Sequence, residues 1–247
     1  MKKVVLVTLM LLSSPLWAAQ CRVDVNHEVH LDGDKVEILK TSTDTVLIDK
    51  QNNLYIRGEK MELDSEQKTA LEQYRESMNA SLPKVKQMAS DGLALANDIL
   101  DDVAKSIESP NAFDSAKQSI ATFFANIESR YYKDGELVLP AQTFESMTQT
   151  WADDFEKAKA LFNKEFISGA FDALSLKMRE EGGLNITKLT DTMADLKVKL
   201  VERIQENAAT IQKKSRDFCE SLDDMVEQEQ QLHQKIPVLK DYQVFTI

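Results

Sequence analysis

Glycine and proline are scarce in this chain. Its 247 residues include only seven glycines and five prolines. Both residues interrupt helices and strands and favour tight turns, so their scarcity predicts few turns and long regular elements. The sequence also contains no glycine-rich phosphate loop and no nucleophile elbow, which leaves the common nucleotide-binding and hydrolase motifs without support.

Long apolar runs are also absent. The longest, residues 4–12, has nine residues and is interrupted only by Thr8, whereas a membrane-spanning helix needs about 20. Lys2 and Lys3 precede this run and small residues up to Ala19 follow it, which is the order of a secretory signal. We therefore predict a cleaved signal peptide at residues 1–19, with cleavage after Ala18 as the alternative.

Cysteine is limited to Cys21 and Cys219. An even count in an exported chain predicts a disulfide, which would close almost the whole mature chain into one loop. The alternative is a pair of buried free thiols. A lipid anchor on Cys21 is disfavoured because the preceding Gln20 is too large for that modification. We expect a soluble protein outside the cytoplasm.

Basic residues are fewer than acidic ones. Without Lys2 and Lys3, 28 basic residues face 41 acidic ones, a net charge of −13. Such a surface repels nucleic acid and anionic lipid headgroups. Nucleic acid is therefore excluded as a partner.

The segment at residues 20–63 is rich in strand signals. Its β-branched residues alternate with polar ones, and polar turns follow at residues 32–34 and 49–53. We predict an antiparallel β meander of three to five short strands. A sheet this small needs a helix to pack against, so we treat it as one structural unit with the bundle at residues 64–247.

After Asp64 the apolar residues recur every three or four positions, as on a helix face. We predict helices that begin near residues 64, 83, 109, 141 and 186. The last one carries an apolar seam from Leu189 to Ile236 that resembles a coiled coil, with a stutter between Leu196 and Ala208. We expect this seam to be buried along its length, with the helix before Gly182-Gly183 as its antiparallel partner.

The predicted fold class is therefore α+β: a small N-terminal antiparallel β meander packed on a predominantly α-helical bundle of long antiparallel helices. The order of the parts resembles the YggN-like family of uncharacterised proteobacterial envelope proteins. The matching features are Cys21, the strand at residues 54–58, the Gly182-Gly183 break and Phe218-Cys219. This resemblance implies the periplasm of a Gram-negative bacterium and implies no catalytic residue.

Two groups of polar residues are candidates for catalytic or metal sites. His27 and His30 are three residues apart, and on a strand such side chains point to opposite faces, so we expect no metal site. Adjacent acids on helices, such as those at 101–102, 153–154 and 223–224, usually form solvated faces. We expect no cofactor and no enzymatic activity. A hydrolase or metal-binding protein is the third and weakest hypothesis.

Four phenylalanines of the fourth predicted helix could line an apolar ligand groove: Phe155, Phe162, Phe166 and Phe171. Core packing is the alternative interpretation of this set. The small residues 168–170 would let another backbone approach closely. The leading hypothesis is a non-enzymatic envelope protein that binds a protein partner through its helical surface. The second is a carrier of an apolar or lipid ligand between helices. Oligomeric state stays open.

Overall fold

The computed structural model describes residues 22–247. The predicted signal peptide and Cys21 lie outside the described residues. The predictions made for them therefore remain predictions.

A seven-stranded antiparallel sheet forms one end of the molecule. Its strand order is β6-β5-β4-β3-β2-β8-β7, while β1 pairs separately with β9. Side chains alternate between core and solvent along β2, β3 and β4, as the β-branched pattern predicts. The strands are β1 Asp24–Val25, β2 Glu28–Leu31, β3 Val36–Leu39, β4 Thr45–Ile48, β5 Leu54–Ile56, β6 Glu59–Lys60, β7 Tyr132–Lys133, β8 Glu136–Leu139 and β9 Phe245–Thr246.

Two strands of this sheet come from the middle of the chain. The sequence predicts a short extended segment near residues 137–139 but does not predict its position in the sheet. In the structure β8 pairs with β2, so that Val29 faces Leu139 and Leu31 faces Leu137. Leu137 is buried in the sheet core. The sheet therefore is completed by residues more than 100 positions beyond β2.

Four long helices run back and forth from the sheet: α1 Ser65–Ser106, α2 Asp114–Tyr131, α3 Phe144–Glu180 and α4 Ile186–Lys235. The α+β prediction is confirmed. The sequence predicts a cap at Asp64 or Ser65, and in the structure Asp64 caps α1 in a capping box with Gln67. One expectation differs: Pro83 does not start a new helix but lies inside α1. An internal proline costs a helix roughly 3 kcal/mol, and α1 makes its most extensive helix contacts with α4.

The helices associate in two pairs. α4 packs mainly along α1, and α3 mainly along α2, so the predicted pairing of α4 with the preceding helix is only a minor contact. The sheet accounts for this choice, because its core includes Leu71 and Tyr74 at the start of α1 and Met225 and Val226 near the end of α4. Gln67 Nε2 also donates to the carbonyl of Lys235 at 2.9 Å. The start of α1 is thereby fixed to the end of α4.

A second core lies at the end of the bundle that is distant from the sheet. We call it the distal core. All four helices or their caps contribute to it, for example Val103, Phe113, Leu174 and Leu196. The rings of Phe113 and Phe166 stack there, with centroids 4.6 Å apart.

Gly169 lets the loop before α2 approach α3 in this distal core. A Cβ at this position would lie 2.0 Å from the carbonyl oxygen of Ala112, so the backbone would have to move. We expect Gly169→Ala to lower the free energy of unfolding by about 2–3 kcal/mol, the usual cost of overpacking. Urea denaturation measures this loss. Ser168→Ala, on the exposed neighbouring residue, is the control and should stay within about 0.5 kcal/mol. Equal stability of the two variants would contradict the close approach.

Candidate functional site

The apolar seam of α4 is buried at its two ends but not at its centre. Leu189 and Leu196 lie in the distal core, and Leu232 and Ile236 lie in the sheet core. Between them Ile204 is 48% exposed. The prediction of continuous burial is therefore wrong at the centre of the seam, and an apolar groove opens there.

This groove lies between α3 and α4 and has a volume of about 440 Å³. Its floor is made by α1 and α2, and its walls by α3 and α4. Nearly all of its lining is apolar. The lining residues are Gly92, Ala96, Ile99, Leu100, Ser119, Ile120, Phe123, Phe124, Phe155, Ala158, Lys159, Phe162, Asn163, Leu200 and Ile204.

The helix pairing explains why the groove exists. α3 and α4 both contribute to the distal core, but no α3 residue among those that the structure describes belongs to the sheet core. The two helices therefore lose contact on the way to the sheet, and the space between them is left open. Gly92 shapes the floor, because its Cα faces the Phe124 ring and a Cβ there would lie 3.3 Å from the ring.

The four phenylalanines of the predicted groove have different environments. Phe155 and Phe162 line the groove, and Phe155 is 58% exposed. Phe166 is buried in the distal core, with its ring 5.7 Å from that of Phe162. Phe171 is exposed on α3 and is not part of the groove lining. Sequence spacing identified one wall, but the other wall and the floor come from helices whose positions it could not give.

The polar part of the lining is small. It consists of Lys159 and Asn163, one helical turn apart on α3, and of Ser119 on α2. The Ser119 hydroxyl donates to the carbonyl of Ser115 at 3.0 Å. Lys159 contacts Glu156 at 3.1 Å, and both side chains are more than half exposed. Lys159 and Asn163 therefore present hydrogen-bond donors that a ligand could use, and Ser119 can still accept through its hydroxyl oxygen.

A second unusual site is the buried carboxylate of Glu229 on α4. Its Oε1 accepts hydrogen bonds from the backbone N–H of Val244 at 2.6 Å and from the Tyr74 hydroxyl at 3.4 Å, and its Oε2 accepts from the N–H of Phe245 at 2.9 Å. Burial raises the pKa of Glu229 to about 7, and these hydrogen bonds offset the rise only in part. This site holds the C-terminal strand in place and has no opening to solvent (1% exposed). A charged residue within an apolar seam is the sequence signal that could have identified it.

The histidines and acid pairs do not form a reactive cluster. His30 contacts Glu28 at 2.7 Å and Glu136 at 3.5 Å. Within residues 22–247, no three or more His, Cys, Asp or Glu side chains are arranged so that they could hold a metal ion. Asp101 pairs with a lysine and Asp154 with an arginine, each across two helices. These carboxylates serve the packing of the bundle.

The comparisons with known proteins give one match. The model of a protein family whose description is "Protein of unknown function (DUF2884)" matches residues 21–245. No curated protein and no solved structure matches the chain.

Proposed function

Because the chain belongs to the DUF2884 family, whose function is unknown, we propose from the structure that the protein binds an apolar ligand, without catalysis, in the groove between α3 and α4. The observation that carries this proposal is the groove lining, in which twelve of the fifteen residues lack a polar side chain. Its volume of about 440 Å³ is within the range of roughly 300–1,000 Å³ that is typical of small-molecule sites.

The groove also leaves apolar groups exposed at its mouth. Phe155 on one wall and Ile204 on the other are each about half exposed. Burying such side chains contributes about 25 cal/mol for each Å² of apolar surface removed from water. A ligand that covers both walls therefore gains free energy from side chains that the fold itself leaves in contact with solvent.

The proposed setting is the periplasm of a Gram-negative bacterium. It is supported by the signal-like order of residues 1–19 and by the resemblance to the YggN-like envelope proteins. No helix within residues 22–247 has the length and apolar character that a membrane span requires. A carrier in this compartment would shield an apolar molecule from water.

A neutral fluorescent probe tests the groove directly. Wild-type protein should bind phenylnaphthylamine saturably, and Ala96→Phe should weaken this binding at least about tenfold, because the new ring occupies the groove floor. Ala94→Phe is the matched control, since Ala94 is an exposed residue of the same helix outside the lining. It should bind the probe as wild type does.

Circular dichroism of both variants checks that they fold. Native mass spectrometry of wild-type protein purified from cells should show an added mass that Ala96→Phe protein lacks. Absence of saturable probe binding to the wild type, or equal binding by the two variants, would exclude the groove as a ligand site.

A second candidate function is binding to a protein partner through the helical surface. It is favoured by large apolar side chains that are exposed outside the groove, such as Ile167, Phe171 and Leu176 on α3 and Val198 on α4. A photo-crosslinking residue in place of Phe171 should then give one discrete adduct in the periplasm, which Ile167→Asp abolishes. Unchanged adducts in the Ile167→Asp background would argue against a specific surface.

A further inference from the structure

The charge of the groove differs from that of the whole molecule. Acidic residues outnumber basic ones by 41 to 30 in the chain, yet the one charged residue in the described groove lining is the cation Lys159. No carboxylate contributes to the lining. A ligand in this groove therefore meets a lysine at the rim and apolar side chains elsewhere.

Lys159 is available to a ligand. Its contact in the structure is with Glu156, on the same helix and three residues earlier. Exposed pairs of this kind contribute about 0–1 kcal/mol, so exchanging Glu156 for a ligand anion costs little. Asn163 follows Lys159 by four residues and lies on the same face of α3. Its amide can donate to the same anionic group, and both side chains border the groove that Phe162 lines.

We propose that the ligand is a single-chain anionic amphiphile, such as a fatty acid. This inference rests on the proposed function, and it assigns the two ends of the ligand. The carboxylate binds the Lys159 ammonium and the Asn163 amide at the rim. The hydrocarbon chain lies against Phe155, Phe162 and Ile204.

The net negative charge of the protein does not oppose this assignment. Charges on exposed groups are screened beyond about 8 Å at physiological ionic strength. A membrane surface would meet the whole acidic molecule, but the headgroup of one bound amphiphile meets mainly the groups at the groove rim. Among the described lining residues Lys159 carries the one charge, and Glu156 is its ion-pair partner.

Two ligands with the same chain test the headgroup assignment. Laurate and lauryl alcohol are compared by their displacement of bound phenylnaphthylamine at slightly alkaline pH, where the acid is ionised. Wild-type protein should bind laurate about fivefold more tightly than the alcohol, as expected for one exposed ion pair. Lys159→Met should remove this preference, because it weakens the binding of laurate more than that of the alcohol.

Lys157→Met is the matched control. Lys157 is two residues earlier on α3, is 80% exposed, and is absent from the groove lining, so this variant should keep the preference for laurate. Equal binding of the two ligands by the wild type, or an equal loss of preference in both variants, would overturn the headgroup assignment and leave the groove intact. Failure of both ligands to displace the probe would overturn the apolar-ligand function itself.

Discussion

Glu229→Ala is expected to lower the free energy of unfolding by about 3 kcal/mol. The substitution leaves the backbone N–H groups of Val244 and Phe245 without their acceptors in a buried environment. Each buried donor that loses its partner costs roughly 1–3 kcal/mol, and relief of the buried charge returns part of this loss. Urea denaturation at neutral pH measures the change.

The control for this variant is Glu227→Ala. Glu227 lies two residues earlier on α4 and is exposed, so its removal should change stability by no more than about 0.5 kcal/mol. Hydrogen exchange adds a local readout, because the amides of Val244 and Phe245 should lose protection in Glu229→Ala protein before the distal core does. Equal stability of the two variants would show that this carboxylate does not hold the C-terminal strand.

The same carboxylate should make stability depend on pH. Because the pKa of Glu229 is raised from 4.5 to about 7 by burial, the folded state binds its proton more tightly than the unfolded chain does. Its contribution is therefore fully present below pH 4.5 and is lost as the pH rises through about 7. The loss over this window can reach about 3 kcal/mol.

Three other buried or partly buried groups titrate differently. Burial raises the pKa of Tyr74, which faces Glu229 from α1, so this hydroxyl stays protonated across the window. Burial lowers the pKa of His233, one turn away on α4, and of His27. The contribution of these two histidines to the free energy of unfolding therefore grows as the pH rises through about 6.5. From the C-terminal segment, Val244 and Phe245 present backbone N–H groups to the carboxylate.

Glu229→Gln separates these contributions. Glutamine has a similar shape and does not titrate, so the difference in stability between wild type and Glu229→Gln should change steadily from pH 5 to pH 8 in the direction of a weaker wild type. The contribution of His27 cancels in this difference, whereas His233 stays coupled to Glu229, because its Nε2 lies 4.0 Å from Glu229 Oε1. Parallel pH profiles of the two proteins would show that Glu229 keeps one protonation state throughout.

The second large effect concerns the proposed disulfide between Cys21 and Cys219. Cys219 is buried on α4, one turn before Leu222, which packs against the sheet core. Val23 lies in that same core, two residues after Cys21. Val23 and Leu222, which are near the two cysteines in sequence, therefore contact the same core. A bond between Cys21 and Cys219 would close a loop of about 200 residues. In the chain-entropy model this loop stabilises the fold by up to about 5 kcal/mol.

We expect Cys219→Ser to lower the free energy of unfolding by about 2–5 kcal/mol. A reducing agent should destabilise the wild type by a similar amount and should leave Cys219→Ser unchanged. Under denaturing, non-reducing conditions the wild type should take up no alkylating reagent, and after reduction it should take up two equivalents. Alkylation of both thiols without reduction would mean that the cysteines are free.

The sequence predicts the elements of this fold better than their arrangement. Apolar periodicity predicts the helical segments, because the buried face of a helix carries apolar residues every three or four positions. The place of β8 beside β2 and the pairing of α4 with α1 depend on long-range packing, which no local pattern records. Pro83 shows the same limit, because its effect on a helix depends on what the two halves of that helix pack against.

The groove was partly predictable for the same reason. Phe155 and Phe162 form one apolar face of α3, and their spacing is visible in the sequence. Gly92, Ile120 and Leu200 come from three other helices, and only the tertiary structure brings them to the same groove. The exposure of Ile204 could not be read from the α4 pattern, since a buried and an uncovered seam have the same spacing.

The pairing of β1 with β9 joins residues near 24 to residues near 245. Contacts between such distant positions slow folding, because the entropy of closing a long loop is lost before the contact contributes free energy. Synthesis of the first two hundred residues therefore cannot yield the finished molecule, and folding must be completed after Phe245 has emerged. Until then apolar residues of the sheet core are exposed to solvent, and the incomplete chain is prone to aggregation.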